Sequence, residues 1–554
     1  MKRSYLKILI LSLILFLGLS LRLNNINWDS GAHLQPDERF LTMVGNKIQI
    51  PKTLQNYFDP QKSTLNPANN GFDFFVYGLF PVSMNKTLVN ILNKDNYFDF
   101  TIYGRGLSAI FDFLVIIFVY KTLLLIEKKY RFNKSIKYWG AFFYSILVLP
   151  IQLSHFFAVD TFLNFFIFSS FYFALKYYLF DNNKNIVYSS ILFAFALASK
   201  ITAFYMLPLN LYFILKKKNK TKSLFNLIIG YFLLSYVVLR FADPYLFQSS
   251  NLLNPIPNTL FSNNLMTLKS YEGPNVWFPP AIQWIDKTPI LYSLYNLSFF
   301  GAGIFIFLLF LLGAFAIFRL KKSTSLIFTL FWIAAVFIYQ STQYVQNIRY
   351  FLILYPFIAI FAGVGAFYIF KSINKNRYKN IFITFFIFFS LIWPLSFSQI
   401  YNKEQTRIQA SRWIYKNLKV NSVVLTEHWD DALPLEVGDR IKQYERYELP
   451  VFDRDTKLKW QKMNKFLLKG DYLILSSNRG WGSISKAHGK YPIMSGFYEE
   501  LLADKLNYKK EKEFTSYPTF YASGLNITFN DSGADESFTV YDHPKVLIFK
   551  KEKN

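Results

Sequence analysis

Long apolar runs alternate with short polar breaks through the first 400 residues of the chain. A helix needs about 20 apolar residues to cross about 30 Å of hydrocarbon. The pattern predicts eleven such helices, at 5–22, 103–125, 137–153, 157–179, 186–200, 202–215, 223–240, 299–318, 324–340, 350–370 and 380–399. The fifth and sixth runs are short and meet at Ser199-Lys200, which predicts a tight hairpin.

Two longer polar stretches interrupt this pattern and predict outer loops at residues 23–102 and 241–298. Residues 1–22 also resemble a signal peptide, because Lys2 and Arg3 precede an apolar stretch. The stretch is long and has no evident Ala-x-Ala cleavage site, so we expect an uncleaved first span.

After residue 400 the pattern becomes the mixed alternation of an α/β domain. It predicts an amphipathic helix at Arg407–Lys416, buried strands at Ser422–Thr426 and Tyr472–Ser476, and a closing strand at Lys545–Phe549. We therefore predict an α-helical polytopic membrane protein of two domains: a transmembrane domain over 1–400 and a soluble α/β domain over 401–554.

The composition agrees with a membrane protein. Hydrophobic residues make up 52% of the 554 residues and charged residues 17%, whereas soluble domains carry about 25% charged residues. Cysteine is absent, which excludes disulfides, a thiolate nucleophile and cysteine-ligated zinc or iron–sulfur clusters.

The net charge of +26 lies mainly in the apolar part of the chain. Residues 1–400 hold 36 Lys and Arg against 14 Asp and Glu, and residues 401–554 hold 25 against 21. This distribution argues against nucleic acid as a partner and follows the positive-inside rule of membrane proteins. With a cytoplasmic N-terminus, eleven spans place the following basic residues inside: Lys121, Lys128, Lys129, Arg131, Lys134, Lys137, Lys176, Lys184, Lys216, Lys217, Lys218, Lys220, Lys222, Arg319, Lys321, Lys322, Lys371, Lys375, Arg377 and Lys379.

Most acidic residues of the first 400 then fall outside or at the outer ends of spans. The sorting of the two signs predicts a multi-pass protein of the cell membrane. Its N-terminus is expected in the cytoplasm and residues 401–554 on the outer side of the membrane.

Asp37 and Glu38 follow the first predicted span. Paired carboxylates just outside a membrane can supply a general base, because one negative charge raises the pKa of its neighbour. The alternative is structural: Pro36 at the first helical position, with acids in the first turn, is typical of a helix N-terminus.

Asp160 and Lys200 lie in apolar surroundings, where a charge is costly and marks a candidate site. Asp160 falls in the outer turn between the third and fourth spans, where it is either functional or the N-cap of the fourth helix. Lys200 is the only charge between Ile186 and Leu215. It can hold a phosphate as a point charge or extend to the membrane surface as an interfacial anchor.

Two arginines complete the set of candidates. Arg349 stands alone at the outer mouth of the tenth predicted span. Arg105 lies seven residues before Asp112, near two turns of one helix, so the two side chains can simply neutralise each other.

The segment Glu427-His428-Trp429-Asp430-Asp431 is an acid–His–acid cluster in the predicted soluble domain. Such a cluster can bind a metal, but acids this close together are more often a loop at a strand end. The chain has five histidines without a repeated ligand spacing, so we predict no cofactor, and a divalent metal is unsupported. The absence of a Walker loop and of Gly-x-Gly-x-x-Gly argues against nucleotide hydrolysis.

Two acidic motifs stand out, the stretch Trp28–Phe40, which ends in HLQPDERF, and Ser154–Asp160, with the sequence SHFFAVD. They resemble the first outer loop and the second acidic motif of the GT-C fold glycosyltransferases that use a lipid-phosphate sugar. That group includes protein O-mannosyltransferases and the aminoarabinose transferases of lipid A. Weaker similarity lies at residues 198–203, 347–350, 354–356, 410–414 and 427–430.

The resemblance implies a GT-C-like fold in which the acid pair faces the acceptor and the sugar of the donor. Asp37 would then be the general base, while Glu38 and Asp160 would orient the acceptor or hold positive groups. The resemblance assigns three cations to the lipid phosphate: Arg105, Lys200 and Arg349. It implies a membrane-bound hexosyltransferase that moves mannose or another sugar, with inversion, from a polyprenyl-phosphate donor to a hydroxyl of a protein, lipid or glycan.

The main alternative is a transporter or flippase of lipid-linked sugars, which would place polar residues near the bilayer midplane on broken helices. A polymerase or ligase of lipid-linked sugars shares the location but not the early Asp-Glu pair. In this chain the acids gather at the predicted outer surface and a large outer domain follows, which favours glycosyl transfer.

Overall fold

The computed structural model describes residues 2–130, 132, 135–216, 221–320, 323–373, 376–437, 443–522 and 524–552. Most of these residues are helical, and the strands lie near the C-terminal end. The α-helices, in chain order, are α1 (Lys2–Leu23), α2 (Pro36–Lys47), α3 (Leu54–Phe58), α4 (Phe80–Ile91), α5 (Tyr97–Tyr130), α6 (Ile136–Ile146), α7 (Val148–Ser154), α8 (Val159–Phe180), α9 (Lys184–Leu197), α10 (Leu207–Leu215), α11 (Thr221–Ala242), α12 (Thr259–Ser270), α13 (Pro279–Ile282), α14 (Leu291–Tyr295), α15 (Ile304–Leu320), α16 (Thr324–Ser341), α17 (Tyr355–Ser372), α18 (Asn376–Ser398), α19 (Thr406–Asn417), α20 (Lys457–Lys469), α21 (Arg479–Ile484), α22 (Pro492–Leu502) and α23 (Glu536–Thr539).

Seven helical segments in the described part of the chain are long and apolar enough to cross a membrane: Tyr5–Leu23, Tyr97–Tyr130, Val159–Phe180, Leu224–Ala242, Thr324–Ser341, Ile348–Ser372 and Asn380–Asn417. Two bent pairs raise this number to nine. One pair is α6 with α7, bent by 53°, and the other is Leu291–Gly301 with Ile304–Arg319, bent by 113°. The predicted polytopic helical architecture is confirmed.

The predicted short hairpin corresponds to two shorter apolar helices, Lys184–Leu197 and Ile201–Leu215. The count of eleven spans therefore stays a prediction, and so does the orientation. Among the basic residues behind that orientation, eight lie outside the described residues: Arg131, Lys134, Lys217, Lys218, Lys220, Lys321, Lys322 and Lys375.

A buried ion pair stabilises the bend between α6 and α7. Arg22 Nε donates to Asp112 at 2.6 Å, and its terminal nitrogens donate to the carbonyls of Ser145 at 3.0 Å and Tyr144 at 3.2 Å. These carbonyls belong to the last turn of α6, where helix carbonyls have no partner within the helix. The suggested neutralisation of Asp112 by Arg105 is wrong, because Arg22 occupies that carboxylate.

The strands are β1 (Val423–Glu427), β2 (Glu445–Leu449), β3 (Tyr472–Leu475), β4 (Tyr508–Phe514), β5 (Thr519–Ala522), β6 (Leu525–Thr528) and β7 (Val546–Lys551). Five of them form a sheet in the order β2-β1-β3-β7-β4, and β5 pairs with β6 as a separate hairpin. β1 is parallel to β2 and β3, whereas β7 is antiparallel to β3 and β4. The helix and the three strands predicted after residue 400 are confirmed as α19, β1, β3 and β7.

The segment that carries α23 is fixed to the membrane-spanning part. Gln152 on α7 donates to the carbonyl of Phe538 at 2.7 Å and to Asp542 at 3.0 Å. The ring nitrogens of His543 contact Asp542 at 2.5 Å and Asp531 at 2.8 Å. Burial alone lowers the pKa of His543, but the two carboxylates raise it to about 10. The charged imidazolium therefore joins Asp531 to Asp542 within this segment, and the hydrogen bonds from Gln152 hold the segment beside α7.

Candidate active site

A cavity of about 680 Å³ lies where the apolar helices meet the loops and the C-terminal region. This volume is within the range of about 300–1,000 Å³ that is typical of ligand sites. Four of the six predicted site residues line it: Asp37, Asp160, Lys200 and Arg349. Loop 241–298 contributes Glu272, Phe278 and Trp284, among others.

The first turn of α2 places Asp37 in the cavity. The side chain of Gln35 caps the helix by accepting from the backbone N–H of Glu38 at 2.5 Å, and Pro36 takes the first helical position. The helix N-terminus suggested by the sequence is therefore present. It is compatible with a site, since Asp37 lines the cavity while Glu38 is fully buried.

Asp37 is paired with Arg349, which lies in a 3₁₀ segment before α17. Arg349 Nη1 donates to Asp37 Oδ2, and the buried Nε of Arg349 has no partner among the described residues. Burial alone raises the pKa of Asp37, but Arg349, Tyr77 and Lys200 outweigh this effect and hold the pKa below the ordinary 3.8. Asp37 is therefore an ionised carboxylate in contact with a guanidinium.

Asp160 is paired with Lys200 in the same cavity. Lys200 Nζ donates to Asp160 Oδ1 at 2.8 Å and lies 5.1 Å from the ring centre of Tyr350. The N-cap of α8 is Ala158, so the suggested capping role of Asp160 is wrong. Lys200 contacts a carboxylate in the cavity, which differs from a lysine that only anchors a helix in the membrane surface.

The turn that carries Lys200 is held by a close backbone approach. The N–H groups of Gly78 and Phe80 donate to the carbonyls of Ser199 and Ala198, at 3.0 and 3.1 Å. A Cβ on Gly78 would lie 2.0 Å from the carbonyl oxygen of Ala198. Only glycine fits there, so the outer loop fixes the position of Lys200.

Arg105 and Glu38 lie behind the cavity, and neither is among the described residues of its lining. The Arg105 guanidinium donates to Glu38 at 2.6 and 2.8 Å and to Asp29 at 2.8 and 3.0 Å. Glu38 also accepts from the backbone N–H of Phe157 at 2.7 Å. Burial raises the pKa of Glu38, and Arg105 opposes that rise. The assignment of Arg105 to a donor phosphate stays a prediction, and this placement does not favour it.

The same contacts explain why the two acidic motifs lie together. Glu38 belongs to the first motif, and Phe157 belongs to the second, three residues before Asp160. Through Glu38, Arg105 connects both motifs to α5. Arg105, Glu38, Asp29 and the backbone N–H of Phe157 are all buried.

The C-terminal region supplies a second set of polar side chains, of which the sequence had indicated only Asp430. Asp430, Arg479, Glu536 and Tyr541 line the cavity. Arg479 Nε donates to Glu536 at 2.8 Å, while Arg407 donates to Asp430 at 2.8 Å. Burial alone raises the pKa of Asp430, but Arg407 and Arg479 outweigh it and the pKa is lowered.

A sequence signal for part of this set exists. Asp430 follows β1 and Arg479 follows β3, and these strands are parallel neighbours. The carboxyl ends of parallel strands meet at one edge of a sheet, where ligands commonly bind. The predicted strands therefore contained the information that brings Asp430 and Arg479 together.

The acids of residues 427–431 have protein partners. Glu427 accepts from Tyr498, and burial raises its pKa to about 8. Asp431 accepts from Arg39 at 2.7 Å. The described part of the chain contains no group of three or more His, Asp or Glu side chains that could hold a metal ion.

The chain matches one family model over part of its length. Residues 101–246 match the family described as dolichyl-phosphate-mannose-protein mannosyltransferase. No curated protein sequence gives a significant match.

Solved structures extend the similarity to most of the chain. The oligosaccharyltransferase AglB of Archaeoglobus fulgidus, in complex with an inhibitory peptide and a dolichol-phosphate, has a TM-score of 0.53 at 13% identity, covering 96% of this chain and 75% of that one. ArnT of Cupriavidus metallidurans bound to undecaprenyl phosphate has a TM-score of 0.43 at 13% identity, over 74% and 72%. The S. cerevisiae protein O-mannosyltransferase complex Pmt1–Pmt2 has 0.32 at 14%, over 42% and 33%.

The similarity to AglB shows the fold. The chain has the GT-C fold of membrane glycosyltransferases, with a strand-containing C-terminal region, as the motifs predicted. The resemblance that we found at the second acidic motif and at Lys200 lies within the residues matched by the mannosyltransferase family model.

Proposed function

We propose that this protein is a membrane glycosyltransferase that moves a sugar from a polyprenyl-phosphate donor to an acceptor hydroxyl. The main support is the cavity, whose lining contains two acid–cation pairs, Asp37 with Arg349 and Asp160 with Lys200. Transfer from a lipid phosphate requires a base for the acceptor and positive charge for the leaving group. Both lie in one cavity next to apolar helices. AglB, which shares the fold, is described in complex with a dolichol-phosphate.

In the proposed reaction Asp37 accepts the proton of the acceptor hydroxyl. The acceptor oxygen forms a bond to the anomeric carbon while the bond from that carbon to the phosphate oxygen breaks. The phosphate leaves with the electron pair, and Arg349 and Lys200 stabilise its negative charge. Attack from the face opposite the phosphate inverts the anomeric centre.

The resting ion pairs suggest an order of events. Asp37 is engaged by Arg349 and Asp160 by Lys200, so a donor phosphate must compete with each carboxylate for its cation. Binding of the phosphate to Arg349 withdraws positive charge from Asp37 and raises its basicity. The donor thereby activates the base only when it is in place.

Glu38 and Asp29 have a positioning role in this proposal. They bind Arg105 in a fully buried cluster, which fixes the first turn of α2 against α5. The base on α2 is held in place by this cluster. We also propose that residues 1–400 form the catalytic membrane domain and that residues 401–554 close the cavity from outside.

The transporter alternative has less support. It requires polar groups near the bilayer midplane that line a path. Buried polar clusters within the apolar helices described by the structure include Arg22 with Asp112, and Ser170 with Ser189, Asn210 and Tyr231. None of these residues lines the large cavity.

The test is turnover of defined donors by the purified protein in liposomes. Polyprenyl-phosphate mannose and other polyprenyl-phosphate hexoses are supplied together with hydroxyl acceptors of the three predicted classes, a serine- and threonine-containing peptide, a lipid and a glycan. The release of polyprenyl phosphate is followed. We expect release by the wild type, and loss of release by the variant Lys200→Gln/Arg349→Gln. Release by neither protein from any of these donors, or equal release by both, would contradict the proposal.

A further inference from the structure

The hairpin β5–β6 differs in charge from the rest of the C-terminal region. Residues 401–554 contain 25 Lys and Arg and 21 Asp and Glu, whereas residues 514–530 contain neither acids nor bases. Both strands of the hairpin lie inside this uncharged run. Exposed hairpin edges in water are usually protected by charged side chains, so this segment has the composition of a buried or membrane-contacting element.

The hairpin packs along α18, the apolar helix that leads into the C-terminal region. The ring centre of Phe520 lies 6.0 Å from that of Phe388, and that of Phe529 lies 5.7 Å from that of Trp393. Phe388 precedes the end of α18, Ser398, by about 15 Å at 1.5 Å per helical residue. The side chain of Phe520 therefore reaches the apolar stretch of α18.

The exposed apolar surface continues from the helix onto the hairpin. Phe385 on α18 is 58% exposed, and on the hairpin Tyr521 is 52% and Leu525 55% exposed. The ring centre of Tyr521 lies 5.6 Å from Lys403 Nζ. Trp and Tyr rings with a nearby lysine are typical of the layer where a membrane meets water.

We propose that β5–β6 is a membrane-contacting hairpin whose partner is the lipid of the adjacent leaflet. Tyr521 and Leu525 insert among the lipid glycerol groups and upper acyl chains, next to the lipid-facing side of α18. The continuity of the exposed surface with a membrane-spanning helix favours lipid over a second protein chain. The strand edges of a two-stranded hairpin need water or headgroups for their backbone groups, which places the hairpin in the interfacial layer and not in the hydrocarbon.

The contact adds a further attachment of the C-terminal region to the membrane, besides α18 and the hydrogen bonds of Gln152 on α7. The chain enters that region from α18, and the hairpin returns to the same helix, while Asp430 and Arg479 of the region line the cavity. Lipid contact at β5–β6 holds these side chains at a fixed height above the bilayer.

Site-directed spin labels test the proposal, since the natural chain has no cysteine. The full-length protein carries one cysteine at a time, as Tyr521→Cys or Leu525→Cys, in liposomes of phosphatidylcholine and phosphatidylglycerol. Phe385→Cys is the lipid-facing control, and Lys512→Cys, on an exposed position of β4, is the water-facing control. Collision rates are measured with oxygen, which enriches in lipid, and with a water-soluble nickel chelate.

We expect the ratio of oxygen to nickel collisions at both hairpin positions to exceed that at Lys512→Cys several-fold and to approach that at Phe385→Cys. Nickel access equal to that at Lys512→Cys would show a hairpin in water and overturn the proposal. Exclusion of both reagents would show cover by a protein, such as a second copy of the chain, and would also overturn it. The readout does not depend on enzymatic activity, so its failure is separate from any failure of the proposed reaction.

Discussion

Arg349 contacts the carboxylate of Asp37 across 312 positions of the sequence. The contact joins the first outer loop to the segment that precedes α17. It keeps Asp37 ionised and, at the same time, bound to the Arg349 guanidinium. In the proposed reaction the carboxylate becomes an effective base when the donor phosphate takes over the guanidinium.

This relationship predicts two different acid limits in the pH dependence of activity. In the free protein Arg349 and its neighbours hold the pKa of Asp37 below 3.8 despite burial. Because kcat/KM reports the free enzyme, it should stay level as the pH falls through the mildly acidic range. In the donor complex the phosphate occupies Arg349, the pKa of Asp37 rises, and protonation removes the base at a higher pH. We expect kcat to fall at a higher pH than kcat/KM, and coincident limits would argue against the exchange of partners.

Lys200 is predicted to bind the donor phosphate. Lys200→Gln should weaken donor binding about ten- to a hundredfold, because a charge-assisted hydrogen bond contributes about 1.5–3 kcal/mol. Lys200→Arg should restore part of the affinity, since it keeps the charge in another geometry. Lys86→Gln is the matched control, because Lys86 also pairs with an aspartate, Asp95 at 2.6 Å, but does not line the cavity, and it should leave donor affinity unchanged.

The pairing with Asp160 gives a further check on Lys200. If Lys200 served only to neutralise Asp160, the double variant Lys200→Gln/Asp160→Asn would bind the donor as the wild type does. Donor affinity measured in titrations of the wild type, Lys200→Gln, Asp160→Asn and the double variant distinguishes the two roles. We expect the double variant to bind as weakly as Lys200→Gln.

Arg105→Gln is predicted to destabilise the protein rather than to weaken donor binding selectively. It leaves the buried carboxylates of Asp29 and Glu38 without their cation, and breaking a buried ion pair costs about 3–5 kcal/mol. Unfolding in detergent should shift to clearly lower temperature. Lys510→Gln removes an exposed pair with Glu513 and should change little. If Arg105→Gln were as stable as the wild type but had lost donor affinity, the result would support Arg105 as a ligand of the donor phosphate.

The predicted topology places residues 401–554 on the outer side of the cytoplasmic membrane. Cysteine at exposed Lys505 should react with an impermeant maleimide on intact spheroplasts, whereas cysteine at Lys128, in a predicted inner connection, should react only after lysis. The opposite pattern would contradict the orientation derived from the basic residues.

The fold was predictable because its signals are local or additive. Apolar runs gave the helices from Tyr5 to Ser398, and alternation gave α19 and three strands. The bends between helices could not be predicted from the local pattern. The one between α6 and α7 depends on Arg22 binding carbonyls more than 120 positions away, and no local pattern encodes such a contact.

The candidate site was predictable in its members but not in its pairings. Asp160 and Lys200 were predicted as site residues because they are charges in apolar surroundings. In the structure Lys200 Nζ lies 2.8 Å from Asp160 Oδ1. Arg105 looked equivalent to Arg349 by residue type. The two arginines differ because Arg105 is buried against Asp29 and Glu38, whereas Arg349 lines the cavity. Which side chains of a helix are buried against a loop depends on the assembled fold.

The activity of Asp37→Asn tests the central claim most directly. The measurement is the rate of sugar transfer from a polyprenyl-phosphate donor that the wild type uses, with the purified variant in liposomes. Loss of a general base should lower the rate about 10²–10⁴-fold, while expression and membrane insertion stay normal and Asp73→Asn, an exposed position of the same outer loop, retains the wild-type rate. A rate for Asp37→Asn above about a tenth of the wild-type rate would contradict the assignment of Asp37 as the base.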